Sequence, residues 1–326
     1  MEYFGTSQKR NLHSDFYNDQ PLLSICVATY NREHLLERLL SSGRSGREVP
    51  EWNDAVEWII VDDGSTDSTR SVIDRWRGQV VIKYVTQDNT GRAKALKKAI
   101  LLASGRYSMV MDSDDYFDKD GLSEIIRELN RLKPEAEFRG RPLVGTLFGT
   151  KIISNRNPAG RVNLPACEVR TNFVAARADF GCSGDLKEVV DTQMLQKALN
   201  EYDFDVRRIP TYLWWANVSM RGDCLMIRKV VAVKEYMPDG MTANIFRLKT
   251  ASPAPMAALY RLLSHAPIYN SVYYRMRSKL LWYRYALLSG NTSDFSLIDH
   301  ILLSPARLIY SIDRLRLAWI HRGKRV

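Results

Sequence analysis

Compact apolar runs, each closed by a cluster of polar residues, alternate with stretches of helical periodicity through the first part of the chain. Leu22 to Thr29 is the first run, and it ends in Thr29-Tyr30-Asn31-Arg32. His34 to Ser42 then places Leu35, Leu36, Leu39 and Leu40 on one helical face, and Gly43 to Gly46 breaks the pattern. Glu57 to Val61 predicts a second buried strand, halted by Asp62-Asp63-Gly64-Ser65-Thr66-Asp67. Ser65 or Thr66 is the expected N-cap of the next helix, with Val72, Ile73 and Trp76 facing inward. Val80 to Val85 predicts a third strand, and Asn89 to Ser104 a helix with Ala95, Leu96, Ala99, Ile100 and Ala103 inside. Ser108 to Met111 is the fourth strand, and it runs into Asp112-Ser113-Asp114-Asp115. Strand and helix alternating at this spacing predict βαβ units and an α/β fold with a mostly parallel central sheet.

The polar clusters Thr29 to Arg32, Asp62 to Asp67 and Asp112 to Asp115 each fall at the C-terminal end of a predicted strand. Ligands of open parallel sheets bind in the crevice outside those ends. Three carboxylates closing one buried strand repel one another unless a positive partner sits among them. A divalent cation bridging to a diphosphate is such a partner, because hard cations take carboxylate oxygens and keep positions for phosphate. The plainer reading of the same residues is a solvated acidic turn before a helix starting at Asp120.

Composition narrows the partner. The 326 residues are 45% hydrophobic and 26% charged, with a net charge of +10, which favours an anionic ligand or surface. Cys26, Cys167, Cys182 and Cys224 are scattered, without metal-site spacing. Met1 to Asp19 is polar and lacks the apolar core of a secretory signal. No apolar stretch approaches the roughly 20 residues of a membrane span, so a cytoplasmic location is expected. A Gly-x-Gly-x-x-Gly after the first strand and a Walker A sequence are both absent, which disfavours dinucleotide and ATPase chemistry. Nucleic acid is not an expected partner, since charge alone would support it.

The second half is less periodic. Glu128 to Pro142 is a charged exit from the first half, and Leu143 to Ile153 with Arg161 to Leu164 predicts a hairpin around Asn155 to Gly160. Gly181-Cys182-Ser183-Gly184-Asp185 reads as a glycine-rich entry to a helix carrying Glu188 and Asp191, which suits a carboxylate aimed into a cleft or a simple helix cap. Trp214-Trp215 reads as core rather than as a sugar platform. Val230 to Val233 is a strand followed by a loop, Tyr236 to Thr242. From Pro255 onward helices rich in Arg, Tyr, Leu and Trp are expected; Leu308, Ile312, Leu315 and Trp319 form one apolar stripe beside Arg307 and Arg314. Such a basic amphipathic helix suits either an anionic membrane surface or docking on its own domain.

The stretches Ser24 to Arg32, Ile59 to Thr69, Asn89-Thr90-Gly91 with Ala95-Leu96, and Met111 to Asp115 together resemble family-2 glycosyltransferases of the GT-A fold. The resemblance covers about residues 21 to 132. It implies a nucleotide-sugar-binding half at 21–132 and an acceptor-binding half at 133–254, which composition flanks with a polar tail at 1–20 and a basic helical region at 255–326. It also implies that Thr29, Tyr30 and Asp63 hold the nucleotide base, beside Asn31, Arg32 and Asp62. Asp112 and Asp114 are the implied ribose and metal contacts, next to Ser113, with Mn²⁺ or Mg²⁺ as cofactor. Leu96-Lys97 stands where many members have an Arg-Asn pair, so Arg92 and Lys94 after Gly91 are the candidates for the phosphates.

In that family a carboxylate of the second half is the catalytic base; Asp185 is the first choice here, then Glu188, then Asp191. The processive members' Gln-x-x-Arg-Trp motif is missing, so transfer of a single sugar, from a UDP-sugar or a similar donor to a glycan or lipid-linked hydroxyl, is expected, with inversion. The alternative is a non-catalytic nucleotide-sugar or glycan-binding protein on the same fold.

Overall fold

The computed structural model describes residues 20–44, 55–132, 140–154, 157–160, 163–202, 204–206, 208–236, 249–292, 295 and 305–313. Its first strands are β1 (Leu23–Thr29), β2 (Val56–Asp62), β3 (Val81–Thr86) and β4 (Tyr107–Asp112). Helices α1 (Glu33–Ser42), α2 (Thr69–Trp76) and α3 (Arg92–Leu101) connect them. β2 is buried along its whole length, which is what a continuous apolar run in a parallel sheet requires. β3 is the sheet edge and alternates in exposure.

The second half adds β5 (Tyr116–Phe117), α4 (Gly121–Arg131), β6 (Leu143–Ser154), β7 (Asn157–Gly160), β8 (Val169–Thr171), α5 (Ala175–Ala178), β9 (Leu186–Asp191), α6 (Thr192–Asn200), α7 (Tyr212–Arg221) and β10 (Asp223–Tyr236). Helices α8 (Pro253–His265), α9 (Val272–Ser289) and α10 (305–313) follow. The sheet order is β3-β2-β1-β4-β9-β6-β10-β5, with β7 beside β6 and β8 beside β10. β1 to β4 are mutually parallel, β9 runs antiparallel between β4 and β6, and β6 and β10 are parallel. The α/β class with a mostly parallel sheet is therefore as expected.

Alternate residues of the central strands feed two cores. Cys26, Ile59 and Val61 pack with α3, α6, α7 and α8 on one face, and Trp214 and Trp215 are buried there. Ile25, Val27 and Ile60 pack with α1, α2 and α4 on the other. The tryptophan pair is core, as its apolar bulk suggested.

Three local expectations change. The helix after β2 starts at Thr69 with Ser68 at the N-cap position, not at Ser65 or Thr66. Ser65 and Thr66 instead bond to residues around β1, and Asp67 accepts from Thr69 N at 3.0 Å. The stretch after Asp185 is strand β9, and the helix begins only at Thr192. Lys and Glu inside Leu186–Asp191 imitate a solvated helix, but sheet pairing on both sides holds the segment extended. Finally, the loop after β10, from Pro238, and the positions Asn155, Arg156, Arg161, Arg314, Leu315 and Trp319 lie outside the described residues.

Candidate active site

Register places the three polar clusters level. Thr29 pairs with Asp62, and Ala28 pairs with Asp112. The loops after β1 and β2 are then stitched together. Asp63 N donates to Thr29 O at 2.9 Å. Asn31, in left-handed backbone at φ 49°, donates from its N to Ser65 Oγ at 2.9 Å and accepts from Thr66 N at 2.7 Å. Tyr30 is left 45% exposed at the rim, and Thr29 Oγ1 is buried with no hydrogen-bond partner among the described residues.

Asp62 and Asp63 are buried and engaged within the protein. Asp62 accepts from Ser65 N at 2.8 Å and from the Tyr84 hydroxyl at 2.6 Å. Asp63 accepts from Gln87 Nε2 at 2.8 Å, Thr90 N at 3.0 Å and Gly91 N at 2.8 Å. It thereby fixes the turn that delivers α3. Gly91 sits at φ 104°, a backbone state open to glycine, and the helix starts at the next residue. Arg92 consequently points at the Asp112 turn, while Lys94 is exposed and pairs with Asp205 at 2.6 Å.

The Asp112–Asp115 turn closes through Asp115 N donating to Asp112 O at 3.0 Å, with Ser113 buried inside it. Cations surround it. Arg92 pairs with Asp112 Oδ1, and Lys234 Nζ lies 3.5 Å from Asp112 Oδ2. Burial opposes ionisation of Asp112, but Arg92, Lys234 and Lys187 outweigh it and hold its carboxyl well below the usual range. Asp115 is fully buried against Lys187 Nζ at 2.6 Å. Burial pushes the Asp115 carboxyl up, while Lys187, facing Asp115, Asp185 and Asp112, is held protonated. Asp114 is the open member of the turn; its side chain is 31% exposed and 3.9 Å from Arg32.

The three candidate bases separate. Asp185 stands at the β9 end nearest Asp112, with Lys234 Nζ at 3.3 Å and Lys187 Nζ at 3.9 Å. Glu188 lies further along β9, opposite Leu147 of β6. Burial raises its carboxyl to about 7 against the pull of Arg177. Asp191 is not brought to this edge. It pairs with Tyr107, the first residue of β4, at the other end of the sheet, and caps α6 by accepting from Met194 N at 2.9 Å.

A divalent cation fits through Asp114 and not through Asp112. Asp114 offers an accessible carboxylate, whereas both oxygens of Asp112, the other expected ligand, face cations. Among the described residues no group of three or more His, Cys, Asp or Glu side chains is arranged to hold a metal. Hard cations in nucleotide sites commonly use one or two carboxylates plus phosphate oxygens, and Asp114 supplies that minimum.

Lys187, Lys234, Arg208 and Arg38 were not legible as site residues. Arg208 has a buried Nη1 without a hydrogen-bond partner among the described residues. Burial and the nearby Arg92 push its pKa down, and Asp112 opposes them. Arg38, from α1, donates to Asp114 O at 2.7 Å and to Glu235 Oε2 at 2.6 Å. Periodicity gave no clue to Arg38, since it falls well away from the inward Leu36, Leu39 and Leu40 face of α1.

Residues 24–163 match glycosyl transferase family 2. A putative teichuronic acid biosynthesis glycosyltransferase of Bacillus subtilis is 32% identical over 130 residues, 39% of this chain and 49% of the relative. The chain thus spans about half the length of that curated relative. In fold, the chain is similar to residues 1–349 of S. aureus TarS in complex with UDP-GlcNAc: TM-score 0.61 at 16% identity, covering 83% of this chain and 74% of that one. A mannosyltransferase of Pyrobaculum calidifontis, in complex with GDP-Man and Mn²⁺, gives TM-score 0.50 at 18% identity, covering 90% and 84%.

Proposed function

Because residues 24–163 match glycosyl transferase family 2 and the chain has the GT-A fold, we propose that the protein transfers a single sugar from a nucleoside diphosphate sugar, a UDP-sugar first among them, to a hydroxyl of a glycan or lipid-linked acceptor. The observation that carries this reading is the convergence of Arg92 and Lys234 on Asp112, level with the Thr29 and Asp62 loops. Those loops offer the exposed ring of Tyr30 to a base. Asp63 serves the same pocket through the Asn89–Gly91 turn that it holds.

The diphosphate then lies against Arg92 and the start of α3, with Lys94 at the rim. Asp114 would hold a Mn²⁺ or Mg²⁺ ion, which adds Lewis-acid neutralisation of the leaving diphosphate. The acceptor oxygen attacks the anomeric carbon from the face opposite the diphosphate. The bond to the diphosphate breaks and its electron pair leaves with the phosphate oxygen. Asp185 takes the acceptor's hydroxyl proton, and Lys234, 3.5 Å from Asp112 and 3.3 Å from Asp185, ties the two carboxylates together at this edge.

The tail suits a second contact. Leu308 is 65% and Ile312 42% exposed on α10, with Arg307, also exposed, just before Leu308. The reading here is peripheral attachment to an anionic bilayer; among the described residues no helix is long and apolar enough to cross one.

The test is a thermal-shift panel of UDP, GDP, CDP and dTDP sugars with and without manganese, followed by an assay for released nucleoside diphosphate. Stabilisation by one nucleotide sugar together with acceptor-dependent diphosphate release supports the proposal. Binding without release, whatever acceptor is offered, means the rival non-catalytic binder.

A further inference from the structure

Behind the reactive edge lies a separate cavity of about 470 Å³. Val233 and Glu235 of β10 line it, together with Lys151 and Ile153 of β6. Tyr116 of β5, Asp118 and Arg38 complete its wall. Alternate residues of a strand face opposite ways. Lys234, between Val233 and Glu235, points to Asp112 and Asp185. The cavity is therefore one strand's thickness from the reactive cluster, on the reverse side of β10.

Its chemistry is mixed in a particular way. Arg38 and Lys151 bring donors, Asp118 and Glu235 bring acceptors, and Ile153, Val233 and the Tyr116 ring bring apolar surface. A phosphate would meet two carboxylates, and a lipid chain would have to desolvate four charges. A hydroxylated ring suits the set, since each hydroxyl both donates and accepts while the ring's C–H faces cover apolar wall. Arg38 Nε is, in addition, a buried donor with no hydrogen-bond partner among the described residues.

Position agrees with that chemistry. The nucleotide loops stand on β1 and β2, whereas β10 and β5 form the opposite side of the sheet order. Arg38 spans the two regions: its guanidinium bonds Glu235 in the cavity wall and the Asp114 carbonyl in the reactive turn, and it lies 4.5 Å over the Tyr116 ring. Whatever binds the cavity is thereby held in register with the turn.

We propose that this cavity is a saccharide subsite, holding part of the acceptor chain remote from the hydroxyl that receives the sugar. It rests on the glycosyltransferase reading for the identity of the chain it holds. The experiment uses the full chain and two defined probes, chitobiose and maltose, followed by saturation-transfer NMR and titration, with UDP as the donor-side control. The variants are Lys151→Ala, at an exposed position, and the isosteric Asp118→Asn.

At least one disaccharide is expected to bind the wild type and to weaken by about 3- to 10-fold in each variant, the loss of one net hydrogen bond, with UDP affinity unaltered. Equal disaccharide binding by wild type and variants, or none by the wild type while UDP still binds, overturns the subsite and leaves the donor site standing. Failure of the wild type to bind any of UDP, GDP, CDP and dTDP overturns the glycosyltransferase reading, and the subsite with it.

Discussion

Lys187 on β9 reaches Asp115 with its ammonium 2.6 Å from the carboxylate, and the two side chains are 6% and 0% exposed. The pair joins the turn after β4 to β9, the strand beside β4 in the sheet. A buried pair contributes little net stability when intact, but removing one partner strands a charge. Lys187→Met is expected to destabilise the protein by about 3–5 kcal/mol. Lys187→Met combined with Asp115→Asn should recover most of that loss. Urea unfolding of the three proteins checks it; a single variant as stable as wild type would show that water reaches the pair.

Asp185 carries the base assignment. Asp185→Asn should leave nucleotide-sugar affinity nearly unchanged and lower the transfer rate by about 10² to 10⁴-fold, the usual worth of general-base catalysis. Single-turnover kinetics with binding measured separately checks this. A deficit that appears instead in Glu188→Gln moves the role along β9.

At Asp114 the expectation is loss of the metal-dependent part of nucleotide binding. Asp114→Ala removes the one accessible carboxylate of the turn, and transfer should fall with it while the melting temperature without ligand stays close to wild type. Titration of UDP with and without manganese reads the first effect. Near-normal turnover at the same metal concentration refutes the role.

Glu188 gives a pH signature independent of catalysis. Burial raises its carboxyl from the ordinary 4.5 to about 7. A raised carboxyl contributes stability that is complete below the unfolded value, and that contribution is lost as pH rises through the folded one. Wild type should accordingly lose stability between about pH 4.5 and pH 7 relative to Glu188→Gln. Melting temperatures of both proteins at pH 5 and pH 8 are the measurement; a constant difference between them contradicts the raised value.

Membrane attachment is best tested without deleting α10, because Ala306 is fully buried and Asp313 pairs with Arg284 at 2.5 Å. Leu308→Ser with Ile312→Ser keeps those contacts. Wild type should co-sediment with anionic vesicles at low salt and release at high salt, since surface attraction fades within a Debye length of about 8–10 Å. The double variant should remain in solution under both conditions. Equal pelleting of the two proteins removes the exposed pair from the interaction.

What the sequence by itself determined was the architecture of β1 to β4 and the loops that follow them. Leu22 to Thr29, Glu57 to Val61 and Ser108 to Met111 are apolar runs too short for helices and stopped by Asp, Asn or Gly, so strand and loop positions follow from local chemistry. The loops carrying Thr29, Asp63 and Asp112 were legible for the same reason. Only tertiary structure decided that Lys187, Lys234, Arg208 and Arg38 meet around Asp112 and Asp114. Each belongs to a different element, and periodicity assigns a residue to a face without saying which face another element will meet. β9 is the clearest case. Lys187 and Glu188 read as solvated positions of a helix, because the desolvation of Lys187 is offset chiefly by Asp115, a partner from β4's turn that no local pattern can supply. That same strand carries Asp185 to the reactive edge and Asp191 away from it, a division set by the direction in which β9 enters the sheet.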